Sequence, residues 1–226
     1  MATIDNVLSK MRKAGKMQDM KEKGNLGEEA VIAICYDRKQ KTGNGLLYQS
    51  YMYPYQTNRQ GVCYTGNVMF KMNGDVPEFY EHTRESINDE IDVLYITPYR
   101  IFPIEVKSYH SRLIEVYDHW VNKNNEFVDK SPIMQAEKHA RHLYHAIYDV
   151  LPDGNPEYIK PIVCFVDRCK IVDDRDKKFI EYIPVCVLNN LLKTLNKYNK
   201  PLTYNLDLAQ IERKLNEVKV SVKQTL

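Results

Sequence analysis

Apolar residues recur at two periods along this chain, and the switches between periods mark its elements. Ile4, Val7, Leu8 and Met11 follow helical spacing, with Lys10, Arg12, Lys13 and Lys16 around the stripe. This predicts a short basic amphipathic helix ending near Gly15 or running on to Gly24. Leu26, Ala30, Val31, Ile34 and Cys35 form the apolar face of a second helix. Asn25 is its expected cap, with Glu28 at the capping-box position. Residues 41–45 (KTGNG) read as a turn. Residues 46–55 and 62–72 read as strands, and Asn73-Gly74 predicts a hairpin into the segment around Phe79. Residues 90–97 and 101–107 are the clearest strand pair, joined by Pro98-Tyr99-Arg100.

A mostly polar stretch follows, holding the only tryptophan, Trp120. Pro132 then opens a helix with the apolar face Ile133, Ala136, Ala140, Leu143, Ile147 and Val150. Residues 153–156 read as a loop. Residues 159–166 read as a strand beside no obvious chemistry, and 179–187 as another. Residues 188–198 and 206–222 read as amphipathic helices. The pattern implies an α/β sandwich around a mixed sheet.

Length and composition narrow the picture. With 226 residues, 43% of them hydrophobic, the chain suits one compact domain, or one with an appendage. Basic and acidic residues number 32 and 30, so no global positive field coats the surface. A nucleic-acid partner would need a local positive face. Five cysteines, an odd number without a CxxC pair, suggest reduced thiols in a cytoplasmic protein. Cys164 and Cys169 as zinc ligands give way to a buried strand cysteine and a loop cysteine, because no second pair completes a site. The N-terminus has no signal-peptide apolar region, and no apolar run is long enough for a bilayer; no membrane partner is expected.

The chemistry concentrates in the clearest strand pair. Ile104-Glu105-Val106-Lys107 puts a carboxylate and an ammonium on one face of a strand that reads as buried, with Asp92 on the strand before. Three buried charges are costly unless they serve each other or a metal. A turn centred between Pro98 and Tyr99 makes opposed residues sum to 197, which pairs Asp92 with Glu105, their Cβ atoms roughly 5 Å apart. The turn does not fix this register, since Pro98 disfavours the usual two-residue hairpin turns, and a slip of one residue would separate the acids onto opposite faces. Two such carboxylates repel unless a cation lies between them, and Mg²⁺, or Mn²⁺ in its place, is the natural one. The Val106 carbonyl could add a ligand. Lys107 could orient the attacking water or stabilise the phosphorane-like transition state. These residues suit metal-dependent phosphodiester hydrolysis; the rival is a strand with ordinary cross-strand charge pairing.

In chain order the sequence shows Gly24-Asn25-Leu26-Gly27-Glu28, Glu90-Ile91-Asp92, Ile104-Glu105-Val106-Lys107, Trp120 and Ser131-Pro132-Ile133-Met134-Gln135. This order resembles the nuclease-related domain (NERD) family of the PD-(D/E)xK nuclease superfamily. Ser131 stands where the family has Asn. The resemblance runs from Gly24 to about Leu192, and residues 56–86 are longer than the family leads one to expect. It implies a restriction-endonuclease-like core, a mixed central sheet flanked by helices. With the helices before Gly24 and after Leu192 outside the resemblance, the expected division is a basic N-terminal helix at 1–23, a nuclease domain at 24–192, and a helical extension at 193–226 packed on the same domain. Glu28, Asp92, Glu105, Lys107 and Gln135 would then line one catalytic site, with Glu28, Asp92, Glu105 and Val106 holding the metal. Glu28 has a competing role as a capping residue, and Gln135 as a solvent-facing helix residue.

The expectation is a Mg²⁺-dependent deoxyribonuclease acting on DNA, with RNA left open and a homodimer allowed through the N-terminal helix. The alternatives are a non-catalytic module binding nucleic acid or protein on the same fold, and a purely structural role for the charges. His139, His142 and His145 read as surface histidines, because no nearby acid shares their face of the helix. Trp120 reads as a packing residue. The seventeen tyrosines read as strand formers rather than as base-stacking platforms.

Overall fold

The computed structural model describes residues 20–55, 68–73, 76–81, 87–109, 111–118, 120–124, 126–128 and 130–218. Expectations for the basic N-terminal helix, for Cys63 and for the chain after 218 fall outside these residues. Among the described residues no helix is long and apolar enough to cross a membrane.

Helix α1 (Met20–Thr42) precedes β1 (Leu46–Tyr55). The hairpin strands β2 (Val68–Asn73) and β3 (Val76–Glu81) follow, in antiparallel register with Asn73 opposite Val76. Next come β4 (Ile87–Ile96) and β5 (Ile101–Lys107). Three short strands, β6 (Leu113–Tyr117), β7 (Trp120–Lys123) and β8 (Glu126–Phe127), lead to α2 (Pro132–Ile147). The remainder is β9 (Ile162–Phe165), β10 (Lys170–Asp173), α3 (Lys177–Tyr182), β11 (Val185–Val187), α4 (Leu191–Tyr198) and α5 (Leu208–Val218).

Five strands form the central sheet in the order β1-β4-β5-β9-β11. β4 pairs antiparallel with both β1 and β5, while β9 is parallel to both β5 and β11, so the sheet is mixed. One face packs on α1 and α4 through Val31, Cys35, Tyr95, Ile104, Leu191 and Leu195. The other carries α2 and α5 through Leu94, Ile96, Leu143, Ile147, Ile211 and Leu215. A smaller sheet, in the order β10-β6-β7-β8, lies beside α2 and buries Ile114, Val116 and Val121 against Ile133, Val163 and Phe165. This is a mixed α/β architecture with helices on both faces, in agreement with a restriction-endonuclease-like core.

Polar ties fix the layers. The buried Arg38 of α1 donates from Nη1 to Tyr95 Oη at 2.8 Å and from Nε to Asn196 Oδ1 at 3.0 Å, linking α1, β4 and α4. Tyr51 Oη donates to the Leu215 carbonyl at 2.6 Å, which anchors α5 on β1. Thr97 organises the β4–β5 turn: its Oγ1 accepts from the backbone of Tyr99 and Arg100 at 3.2 and 3.0 Å. Register places Pro103 beside Pro161, between the Ile101–Ile159 bridge and the β5–β9 ladder that runs on from Ile104 and Ile162. A residue without a backbone N–H is tolerated where no rung is made.

Several expectations need correction. α1 runs unbroken through residue 25, so Asn25 is no cap and Glu28 no capping-box partner. The polar stretch before α2 holds three strands; they are short and half exposed, so their apolar runs are too brief to stand out. Residues 179–187 form the end of α3, a turn and then β11, not one strand. The strand within 159–166 is β9, and it pairs directly with the Glu105 strand.

Gly27 lets α1 approach the sheet closely. A β-carbon there would lie 3.0 Å from Val166 Cγ2 and 3.5 Å from Val106 Cγ1. Gly27→Leu is expected to push α1 off the ends of β5 and β9 and destabilise the fold by about 1–3 kcal/mol. Urea denaturation of the variant measures this, and an unchanged midpoint would contradict the close approach.

Candidate active site

Asp92, Glu105 and Lys107 converge where β4 and β5 part. The observed rungs, from Val93 opposite Ile104 to Ile96 opposite Ile101, all sum to 197, so Asp92 comes level with Glu105 and the one-residue slip that the turn left open does not occur. The ladder ends one step before that pair. In its place the Asp92 side chain takes the next donor: Oδ2 accepts the Val106 N–H at 2.7 Å. β1 also departs from regular pairing here. Gln49 pairs with Val93 and Tyr51 with Ile91, while Ser50 between them has a φ of 46°, a left-handed conformation that costs a non-glycine residue energy.

Glu105 is the most enclosed charge, 2% exposed. Its Oε1 forms an ion pair with Lys107 Nζ. Its Oε2 lies 3.2 Å from Nδ1 of His139 on α2. Burial alone would push the Glu105 carboxyl up; His139 and Lys107 outweigh it and hold the group below the ordinary glutamate range. Asp92 goes the other way. Burial first and the Glu105 charge second push its carboxyl up to about 7, against the opposing pull of the Val106 N–H. Glu28, on α1 just after Gly27, is raised by burial, and a hydrogen bond with Gln49 partly opposes this. Glu90 and Glu105 add repulsion to Glu28, which puts it within the same electrostatic neighbourhood.

The β5–β9 pairing orients the backbone. Lys107 offers its carbonyl to the Val166 N–H at 3.0 Å, so odd-numbered residues of β5 bond toward β9. Val106 therefore turns its N–H and its carbonyl toward Asp92. Gln135 stands one helical turn before His139 on the same face of α2. Its Oε1 is buried and makes no hydrogen bond among the described residues, which is unusual for an amide oxygen.

The structure thus brings Asp92, Glu105, Lys107 and the Val106 backbone together, adds Glu28 through electrostatics, and sets Gln135 on the adjoining helix face. Two expectations fail. His139 and His142 are buried, at 6% and 2% exposure, because α2 turns this side to the sheet. The acid that accompanies His139 comes from β5, not from its own helix. His139 is the site residue that the sequence reading missed; its position four residues after Gln135 was the available signal. Trp120 is 48% exposed, opposite Tyr117 on the outer face of the small sheet, and is not a packing residue.

No group of three or more His, Cys, Asp or Glu stands ready to hold a metal among the described residues. The donor chemistry nonetheless fits a hard cation. Two neighbouring carboxylates, one with its ionisation suppressed, and a carbonyl turned toward them form an all-oxygen set. Lys107 supplies the positive charge that Glu105 meets here.

Residues 75–166 match the model of the family described as the nuclease-related domain (NERD). The match spans Asp92, Glu105, Lys107, Gln135 and His139 and begins after Glu28, so it is narrower than the resemblance drawn from the motifs. No curated protein and no solved structure matches the chain.

Asp92 ties stability to pH with a definite sign. From about pH 4 the unfolded chain releases this proton while the folded chain keeps it to about pH 7, so stability falls across that window and the loss is complete above it. Asp92→Asn retains an acceptor for Val106 and removes the ionisation. Its melting temperature should exceed wild type at pH 8 by more than at pH 5. A difference that does not change with pH would contradict the raised carboxyl.

Proposed function

We propose, from the premise that residues 75–166 carry a nuclease-related domain, that the protein is a metal-dependent nuclease hydrolysing DNA phosphodiester bonds. The observation that carries this reading is the register that levels Asp92 with Glu105 beside Lys107. A divalent cation, Mg²⁺ or Mn²⁺, would be held by Asp92, Glu105 and the Val106 carbonyl with Glu28 behind them, and would supply Lewis-acid polarisation of the phosphate and a more acidic water.

The protein's own groups take the remaining roles. Glu105 has to stay ionised, and His139 and Lys107 keep it so. Lys107 is partly exposed, so its ammonium can turn from Glu105 to a phosphate oxygen and offset the charge that grows there. His139 fixes the Glu105 carboxylate from the helix side and acts as a positioning residue. Gln135, whose amide oxygen has no hydrogen-bond partner among the described residues, suits the placement of the attacking water or of a phosphate through its amide.

Wild type, Glu105→Ala and Lys107→Ala should be incubated with plasmid, linear duplex and single-stranded DNA in Mg²⁺, Mn²⁺ and EDTA. Wild type should cut only with metal, and each variant should lose about 10²–10³-fold in rate with its fold retained. Equal cutting by the variants, or none by wild type on any substrate, would reject the reading in favour of a binding module.

His139→Ala should slow cleavage by about 10–100-fold. His139→Asn, whose amide can replace the Nδ1 donor, should recover part of the rate. No recovery by Asn, with both variants folded, would count against a positioning role.

A further inference from the structure

A second charged cluster stands at the other end of β5. Arg100, Arg141, Lys160 and Lys178 line a cavity of about 570 Å³ between α2, α3 and the turn into β5. That volume suits a small organic ligand. The Lys160 N–H bonds to the Ile101 carbonyl at 2.8 Å, so Arg100 and Lys160 sit where β5 begins. Glu105 and Lys107 sit toward its other end, roughly 13 and 20 Å beyond Ile101 at the ordinary strand rise.

Arg100 and Lys160 are half-buried on the lining of this cavity. Arg100 donates from Nη1 to the Tyr99 carbonyl at 3.1 Å, but its Nε is buried without a hydrogen-bond partner among the described residues. Lys160 Nζ donates to the Glu181 carbonyl at 3.0 Å and lies over the rings of Tyr182 and Tyr198, 6.0 and 5.3 Å from their centroids. Neither forms an ion pair with a carboxylate among the described residues. Burial, then the charge of Arg100, lower the Lys160 ammonium, and burial lowers Arg100 as well. Glu137, Glu157 and Glu181 share the wall, and Glu157 and Glu181 lessen this repulsion without pairing with either cation. Desolvated cations facing one cavity favour an anion that can accept from both. Tyr182 and Tyr144 add flat apolar surface on the same wall.

We propose that this cavity binds a nucleoside phosphate, its phosphoryl group held by Arg100 and Lys160 and its base packed against Tyr182. The site is distinct from the carboxylate cluster and does not rest on the nuclease reading.

Calorimetric titration of the full chain with AMP, ATP, inorganic phosphate and adenosine tests it. The nucleotides should bind wild type and Glu105→Ala alike, phosphate more weakly, and adenosine least. The double variant Arg100→Gln/Lys160→Gln should weaken AMP by at least about tenfold. Should that variant fail to fold, the exposed rim variant Arg141→Glu/Lys178→Glu should weaken ATP instead. The proposal is overturned by no nucleotide binding at millimolar concentration, by phosphate binding as tightly as AMP, by loss of binding in Glu105→Ala, or by folded cavity variants that bind like wild type.

Discussion

One hydrogen bond shapes this site: the Asp92 carboxylate accepting the Val106 amide. It takes the place of the next rung between β4 and β5, so the strands part without leaving that donor unpaired. The same bond draws an acidic side chain into the sheet beside a second acid. A backbone pair at this position would satisfy the strands equally well and leave no chemistry behind. Here the sheet gives up a rung and gains a region of concentrated negative charge.

Such a region costs stability, and its surroundings show how the cost is contained. Glu105 is enclosed between Lys107 on its own strand and His139 on α2, so its charge is held by partners from two elements. The Val106 amide and, more weakly, Lys107 favour the Asp92 charge without offsetting burial and the Glu105 charge, and its carboxyl is pushed up to about 7. The two acids therefore differ in environment: one kept ionised, one resisting ionisation. Buried ionic groups of this kind rarely add net stability. Their arrangement makes better sense as function, since a cation arriving there would relieve the repulsion that the fold tolerates. Gly27 serves the same end from the opposite face, letting α1 come close enough for Glu28 to join the field.

Much of this was legible in the residues. A turn centred between Pro98 and Tyr99 would set Asp92 level with Glu105, but Pro98 disfavours the usual two-residue hairpin turns, so the residues left a one-residue slip open and the observed rungs decide it. The apolar face of α2 was legible because its period is strong: Ile133, Ala136, Ala140, Leu143 and Ile147 are all buried. The polar partners of that helix were not. His139 and His142 flank the apolar stripe, and only the packing of α2 against β5 decides that they are covered. Trp120 failed for the converse reason: large aromatic rings usually pack, and nothing local reveals that β7 belongs to a small sheet with an open outer face. The α1 boundary failed because a strong local cap signal at Asn25 was overridden by a helix already under way.

The most direct test of the account is whether the carboxylate pair takes up a divalent cation at all. Titration of Mn²⁺ into the protein, followed by the loss of the free-ion electron paramagnetic resonance signal, measures it without any substrate. Wild type should bind, and Asp92→Asn and Glu105→Gln should each bind at least about tenfold more weakly while keeping their fold. Wild type that leaves the Mn²⁺ signal unchanged, or variants that bind as wild type does, would contradict the account.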